Sequence, residues 1–218
     1  MTSRLLLPGA NLKDRLYACL GAVVGIALTA LACHGLPPRD LPMIVAPIGA
    51  SAVLLFAVPA SPLAQPWPML GGNVLSALVG IGVAQAFGTG PAAAGLAVGA
   101  AILLMSLTRC LHPPGGAAAL TAVIGGPAVA AAGWRFAFVP IALNSAALLA
   151  LAWAFHRWSG HSYPHRPAPA PPVPPRFLPE DLDEALAATG EAFDISREDL
   201  EQLLQAAEAA ADRRRARR

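Results

Sequence analysis

Between positions 41 and 179 this chain contains no aspartate and no glutamate. Eleven of its thirteen acidic residues are crowded between Glu180 and Asp212. A helix on the surface of a soluble domain needs a charged stripe facing water, and this stretch has almost nothing to build one from. The whole chain is 13% charged, against roughly 25% in soluble domains, and 56% of it is hydrophobic. Such a segment is at ease only where its surroundings are themselves apolar. The chain is read as an integral membrane protein, with the lipid bilayer as its first partner.

Several apolar runs approach the roughly 20 residues that cross a bilayer core. Runs 16–33, 71–87, 91–108 and 136–155 are long, and runs 43–58 and 113–127 are shorter. The expected fold is therefore all-α: a polytopic membrane helix bundle of four long plus two short transmembrane segments over residues 16–158, after a cytoplasmic segment 1–15. The first run is long, and Cys33-His34-Gly35 is a poor cleavage site, so a removable signal peptide is not expected. Lysine and arginine in short loops set orientation. Arg4, Lys13 and Arg15 at one end, and Arg157, Arg166 and Arg176 at the other, place both termini in the cytoplasm, which requires an even number of crossings. Six crossings put Arg109 inside and Arg39 and Arg135 outside. Four, with both short segments re-entrant, put all three outside. Six is the preferred count. Cys19, Cys33 and Cys110 are few and odd in number, and read as small packing residues rather than a disulfide framework.

Residues 159–176 form a linker whose proline-rich run from Tyr163 to Arg176 cannot pack as a helix and reads as a semi-stiff extended spacer. Residues 177–218 form a soluble cytoplasmic tail of two helices. The first is expected over 180–189, with Pro179 before it, acids in its first turn and Gly190 at its end. Ser196-Arg197-Glu198-Asp199 resembles a capping box that opens the second. Leu200, Leu203, Leu204 and Ala207 share one face of that helix. The terminal run Arg213, Arg214, Arg215, Arg217 and Arg218 reads as solvated, or as a contact with anionic lipid. No nucleic-acid partner is expected.

An internal repeat is one reading of the membrane part. Pro47-Ile48-Gly49-Ala50-Ser51-Ala52-Val53-Leu54 resembles Pro113-Pro114-Gly115-Gly116-Ala117-Ala118-Ala119-Leu120. Gly21/Gly25 and Gly95/Gly99 precede the two strings, and Asn73 and Asn144 follow them. The offset drifts, and chance matches in an alanine-rich sequence are the other reading. If real, the repeat is a 3+3 inverted one, a recurrent plan for transporters with the site between the halves near the midplane.

The residues able to carry chemistry cluster on these strings. In Arg109-Cys110-Leu111-His112-Pro113-Pro114-Gly115-Gly116, the prolines end one helix and the glycines permit a turn or a close approach. A new helix starting near Pro114 would point its N-terminus, with free N–H groups, at an anion. His112, ionisable beside a helix break, is a functional candidate. For Arg109 the plainer role, snorkelling to the interface, is the stronger one. Ser51 could bond a permeant, although a membrane serine more often bonds its own helix. Gly49 reads as a close helix contact, and Asn73 and Asn144 as interhelical hydrogen-bonding groups or as the lining of a polar path. The Gly-xxx-Gly pairs serve tight packing. Trp67, Trp134, Trp153 and Trp158 fit interfacial anchors. No paired carboxylates, Ser-His-Asp set or zinc-spaced Cys/His cluster is visible, so neither an enzyme, a metal nor a cofactor is expected. The lack of intramembrane acids tilts the reading away from cations and towards an anionic or neutral permeant.

Four strings resemble the HPP family of integral membrane proteins: Pro47 with Gly49 to Phe56, Pro62 to Trp67, Gly71-Gly72-Asn73, and His112-Pro113-Pro114-Gly115-Gly116-Ala117. The family is named for the His-Pro-Pro tripeptide. The resemblance covers about residues 12–158 and implies a small helical membrane domain, often described as four-helical. Residues 177–210 resemble the segment that leads into paired CBS domains in longer bacterial members. The chain stops where those would begin, so nucleotide sensing is not implied. Plastid and cyanobacterial members are linked to nitrite transport, which implies transport of a small monovalent anion. The placement expected is the bacterial inner membrane. The leading expectation is a transporter or channel for such an anion, with its site at Gly49, Ser51, Asn73, Arg109, His112, Pro113, Pro114, Gly115, Gly116 and Asn144. The alternative is a membrane anchor or sensor whose tail engages a partner or a second copy. A homo-oligomer is expected of so small a bundle.

Overall fold

The structure is a computed structural model and describes residues 12–36, 41–167 and 176–216. Arg4, Arg39, most of the proline run and the last two arginines lie outside the described residues. Every regular element among the described residues is helical. The chain divides into two compact units, residues 1–165 and 166–218.

Proline sets the helix starts in the first unit. After α1 (Leu12–Cys33), five successive helices begin on one: α2 (Pro47–Ala57), α3 (Pro66–Phe87), α4 (Pro91–Leu107), α5 (Pro113–Ile124) and α6 (Pro127–Ala132). A first-turn N–H has no partner within its own helix, so proline there forfeits nothing, and its fixed φ suits the helix. This explains where sequence reading erred. The run expected from residue 71 begins five residues earlier, because Pro66 and Pro68 open α3 instead of preceding it. The run 113–127 ends α5 at Ile124, and α6 follows as a separate short helix. The run from 136 is a wound segment, Ala137–Ala142, broken at Val139 (φ −131°, ψ 105°) ahead of Pro140, and then α7 (Leu143–Ser159).

Among the described residues three stretches are long and apolar enough to cross a membrane: Leu12–Cys33, Pro66–Phe87 and Ala137–Ser159. The fourth long run forms α4, of 17 residues, while α2 and α5 have 11 and 12. At about 1.5 Å per residue the last two reach only about half of a hydrocarbon core roughly 30 Å thick.

Two groups of helices pack around these short pieces. In one, α3 carries α4 and α5. Gly72 faces Cys110 and His112, and Gly80 faces Ala119 and Ala122, so α5 runs parallel to α3. The α3–α4 turn is only three residues long, and Trp67 Nε1 donates to the Thr108 carbonyl (3.1 Å), so α4 runs back along α3. In the other group α7 carries α1 and α2. Gly21 faces Phe155 and Gly25 faces Leu148, so α1 is antiparallel to α7. Asn144 meets Met43 and Val45, while His156 Nε2 bonds the Leu55 carbonyl (2.8 Å), so α2 is parallel to α7.

The contacts within the two groups differ in kind. On α3, Gly72, Ser76 and Gly80 recur every four residues and form one flat face against Gly115, Ala119 and Ala122. A Cβ on Gly80 would collide with the Ala119 carbonyl oxygen. Gly21 and Gly25 instead make a groove for the Phe56 ring, which lies edge-on to Phe155. The matching pair Gly95 and Gly99 meets nothing within 4 Å, so it packs no helix among the described residues. Leu16, Val23, Leu31, Leu103 and Leu107 point outward and are exposed, as lipid-facing side chains are.

In the second unit α8 (Pro179–Thr189), where Leu182 is buried, is joined to α9 (Arg197–Arg215) by hydrogen bonds from Arg197 to Pro179 and Asp183. The Ser196 cap forms as read, its Oγ accepting from Asp199 N (3.1 Å). The expected apolar face is largely exposed. Leu203 is 60% exposed, and the buried residue of α9 is Gln205. Exposed ion pairs join Arg197 to Asp183 at 2.9 Å and Arg176 to Asp212 at 2.6 Å. Hydrogen bonds from Arg197 hold the Asp183 carboxyl below its ordinary value.

Two expectations follow. Gly80→Ala forces backbone apart and should destabilise the protein by about 1–3 kcal/mol, whereas Gly95→Ala should be neutral or stabilise by up to about 1 kcal/mol through helix propensity. Equal melting temperatures for the two variants in detergent would contradict the close α3–α5 contact. In the second unit, the Asp183–Arg197 contribution is present above the unfolded carboxylate pKa and is lost as pH falls through the lowered folded value. Arg197→Ala should flatten that part of the tail's pH-dependent helicity, as followed by circular dichroism.

Candidate functional site

His112 is the residue before the first turn of α5, extended at φ −139° and ψ 107°, as a residue preceding proline must be. This geometry aims its ring away from α5 and towards α2. Nδ1 lies 2.8 Å from the Leu63 carbonyl and Nε2 lies 2.8 Å from Ser51 Oγ. A carbonyl can only accept, so Nδ1 carries the hydrogen, and in the neutral ring Nε2 accepts from the Ser51 hydroxyl. Ser51 Oγ in turn receives Asn73 Nδ2 (3.2 Å), whose other hydrogen reaches Ser145 Oγ (3.2 Å). The order is fixed by donor and acceptor counting: amide to hydroxyl to imidazole to carbonyl.

Ser51 also has a second acceptor, the Pro47 carbonyl at 3.2 Å. When Nε2 holds a proton, the ring donates to Ser51 Oγ and the hydroxyl turns to Pro47. Both charge states of His112 therefore keep every partner. His112, Ser51, Asn73 and Ser145 are each fully buried, and they come from α5, α2, α3 and α7, where the two helix groups meet.

Of the buried atoms without a partner among the described residues, Asn73 Oδ1 and Ser76 Oγ lie on α3 and Thr29 Oγ1 on α1. Ser76 sits one turn after Asn73 on α3, its Oγ 2.7 Å from where a Cβ on Gly115 would be. Unpaired polar atoms in a packed interior are unusual enough to point to function.

The helix N-termini offer fewer donors than sequence reading expects. Pro113 and Pro114 have no N–H, and Gly115 N already bonds the His112 carbonyl (2.8 Å). At α2, Pro47 has none, and Ile48 N and Gly49 N bond Val45 and Ala46 (3.0 Å each). The donors of this site are side chains.

The remaining expected residues fall in different places. Gly115 is the point of close approach to α3, as Gly72 O lies 2.9 Å from its ideal Cβ, while Gly116 meets only Val98, at 3.8 Å. Gly49 is exposed with nothing within 4 Å, so it makes no close helix contact among the described residues. Arg109 is exposed, with a left-handed φ of 56° at the end of α4, and lies outside the buried cluster. Asn144 is buried but serves another end: it accepts from Val45 N (3.0 Å) and donates to the Met43 carbonyl (3.1 Å). Those bonds satisfy the non-helical backbone leading into α2, which lipid cannot do.

Sequence reading missed Ser145, Ser76 and the Leu63 carbonyl. The Asn144-Ser145 pair on one helix was a usable signal, since two adjacent polar residues in an apolar run face two directions. Ser76 was legible only as a small residue between two glycines. Leu63 carried no signal, because any residue supplies a carbonyl. Among the described residues no group of three His, Cys, Asp or Glu side chains is placed to hold a metal.

A family model described as "HPP, transmembrane region" matches residues 7–164. Two transmembrane proteins of Dictyostelium discoideum are similar. One is 38% identical over 72% of this chain and 57% of its own length, the other 36% identical over 64% and 46%. The chain thus spans about half the length of these curated relatives. No solved structure matches it.

Ser51 is the hub of the cluster. Ser51→Ala strands both His112 Nε2 and Asn73 Nδ2 and should cost about 1–3 kcal/mol. Ser76→Ala removes an already unpaired hydroxyl and should cost nothing. Thermal unfolding in detergent separates the two, and an unfolding shift larger for Ser76→Ala would overturn the assignment of the network.

Proposed function

The chain belongs to the HPP family of integral membrane proteins, and from that premise we propose that it is a transporter or channel for a small monovalent anion, nitrite-like by family resemblance, and not an enzyme. The observation that carries this reading is the buried, acid-free cluster His112–Ser51–Asn73–Ser145 at the meeting of the two short helices. Half-length helices with broken backbone at membrane depth are the usual carriers of solute sites. His112 supplies a reversible proton, and the hydroxyl and amide supply donors. No carboxylate stands near to repel an anion, since none exists in the sequence between positions 41 and 179.

The packing favours the inverted repeat. α1, α2 and α3 correspond to α4, α5 and α7. In each half the first long helix runs antiparallel to the last helix of the other half, and the short one runs parallel to it. Six crossings, counting α2 with its extended lead-in and α5 with α6, are consistent with these directions and put both termini on one side, which the reading assigns to the cytoplasm from the lysines and arginines near both ends. The bacterial inner membrane belongs to the same proposal, although the relatives compared are from Dictyostelium. The anchor or sensor reading keeps one supporting observation, the exposed Leu203 and Phe193 of the tail unit, and predicts that deletion of residues 164–218 abolishes function while His112→Ala does little.

Uptake of nitrite into proteoliposomes, with nitrate, formate and chloride as competitors, tests the leading reading. His112→Ala protein should insert and fold yet take up nitrite at least about tenfold more slowly, the scale of losing one positioned proton-transfer group. Full uptake by a correctly inserted His112→Ala protein would remove the histidine from the path. No flux of any of these anions through folded wild type would favour the anchor or sensor.

A further inference from the structure

The α3–α5 contact brings two backbones together through small residues. Gly72, Ser76 and Gly80 lie against Gly115, Ala119 and Ala122, and the thioether of Met105 from α4 closes over Gly72 and Gly115. A methionine side chain is flexible and can swing from such a position, unlike the Phe56 ring seated between Gly21 and Gly25. Small residues alone are only a close contact. Here they enclose a polar atom that the contact leaves unsatisfied: Ser76 Oγ, in a residue with no exposed surface and 2.7 Å from where a Cβ on Gly115 would lie. One turn before it Asn73 Oδ1 is also without a partner, in the amide that turns to Ser51 and Ser145. A buried hydroxyl and a buried amide oxygen one turn apart match the spacing of a hydrated file.

The seam also has an outlet. At the end remote from His112, a pocket of about 110 Å³ is lined by Ile81, Ala84, Gln85, Thr89, Ala122 and Gly133. Ala122 is shared between the pocket and the Gly80 contact. Gln85 and Thr89 give the pocket its polar side chains. Along α3 the order is therefore pocket at Gln85, seam at Gly80, unpaired hydroxyl at Ser76, and the Asn73–Ser51–His112 cluster.

We propose that the α3–α5 seam opens to form the water-filled branch of the solute path, leading from the Gln85–Thr89 pocket past Ser76 to the His112 cluster. This rests on the transport reading. The path suits a small hydrophilic solute crossing with its water, because Ser76 offers a donor and Asn73 Oδ1 an acceptor, and water satisfies both. His112 ends this branch. The Leu63 carbonyl and the α2 backbone close its other side.

Ser76→Cys, reacted in proteoliposomes with 2-aminoethyl methanethiosulfonate, reads the seam without reference to any substrate. The natural Cys33, buried at the end of α1 and away from the seam, is the reference in the same molecule. Modification at position 76 should be at least tenfold faster than at Cys33, and Ser76→Ala should lower nitrite uptake at least fivefold with its melting temperature unchanged. Labelling at position 76 no faster than at Cys33, together with full uptake by Ser76→Ala, would overturn the seam and leave the transport reading intact. Fast labelling in a protein that carries no anion flux would support the seam and overturn the assigned substrate.

Discussion

Inside a bilayer a backbone amide has no solvent to fall back on, and the membrane unit depends on how that constraint is met at two places. The chain is not helical over residues 41–46 and 108–112, yet both stretches lie against the core of the bundle. Each is held by a buried side chain, and the second also by Trp67 through the Thr108 carbonyl. Asn144 closes Met43 and Val45 with two bonds. His112, itself part of the second stretch, ties it to Leu63 and Ser51. Without these bonds α2 and α5 would have to lengthen into ordinary spanning helices, and the polar cluster between them would not exist.

Small residues then decide how closely the helices approach. The hydrophobic effect gives little reason for one apolar helix to prefer another over lipid, so contact area and shape do the selecting. Glycines are used in two ways. At Gly21 and Gly25 they accept an aromatic ring, which locks α1, α2 and α7 by shape. Along Gly72, Ser76 and Gly80 they let two backbones touch, with the Met105 thioether closing over Gly72 and Gly115. The unpaired hydroxyl of Ser76 lies in this second contact.

The cluster is built so that a proton on His112 rearranges one hydroxyl and breaks nothing. Ser51 can face Nε2 or the Pro47 carbonyl, and Asn73 donates to it in both cases. The hydrogen bonds of the ring can thus be kept in either charge state, and this follows from the four-residue spacing of Pro47 and Ser51 within one short helix.

Much of this was written in the chain. The missing acids fixed the solvent, and the apolar runs fixed an all-helical unit with a charged two-helix tail. Pro47 and Pro113 marked the short helices, and His112, Ser51 and Asn73 were each legible as polar groups without water. These are local properties, set by composition, by proline's missing N–H and by the cost of burying a polar atom. Their grouping was not legible. That Ser51 meets His112 while Asn144 turns to Met43, that Gly95 faces outward while Gly115 is pressed against α3, and that Arg109 stays outside all depend on which faces meet. Near-uniform apolar helices carry almost no periodic signal to say so, because lipid and protein neighbours ask for the same residues. The sequence therefore determined the medium, the elements and the polar inventory, and only the tertiary structure decided which polar atoms became a site and which were left unpaired beside it.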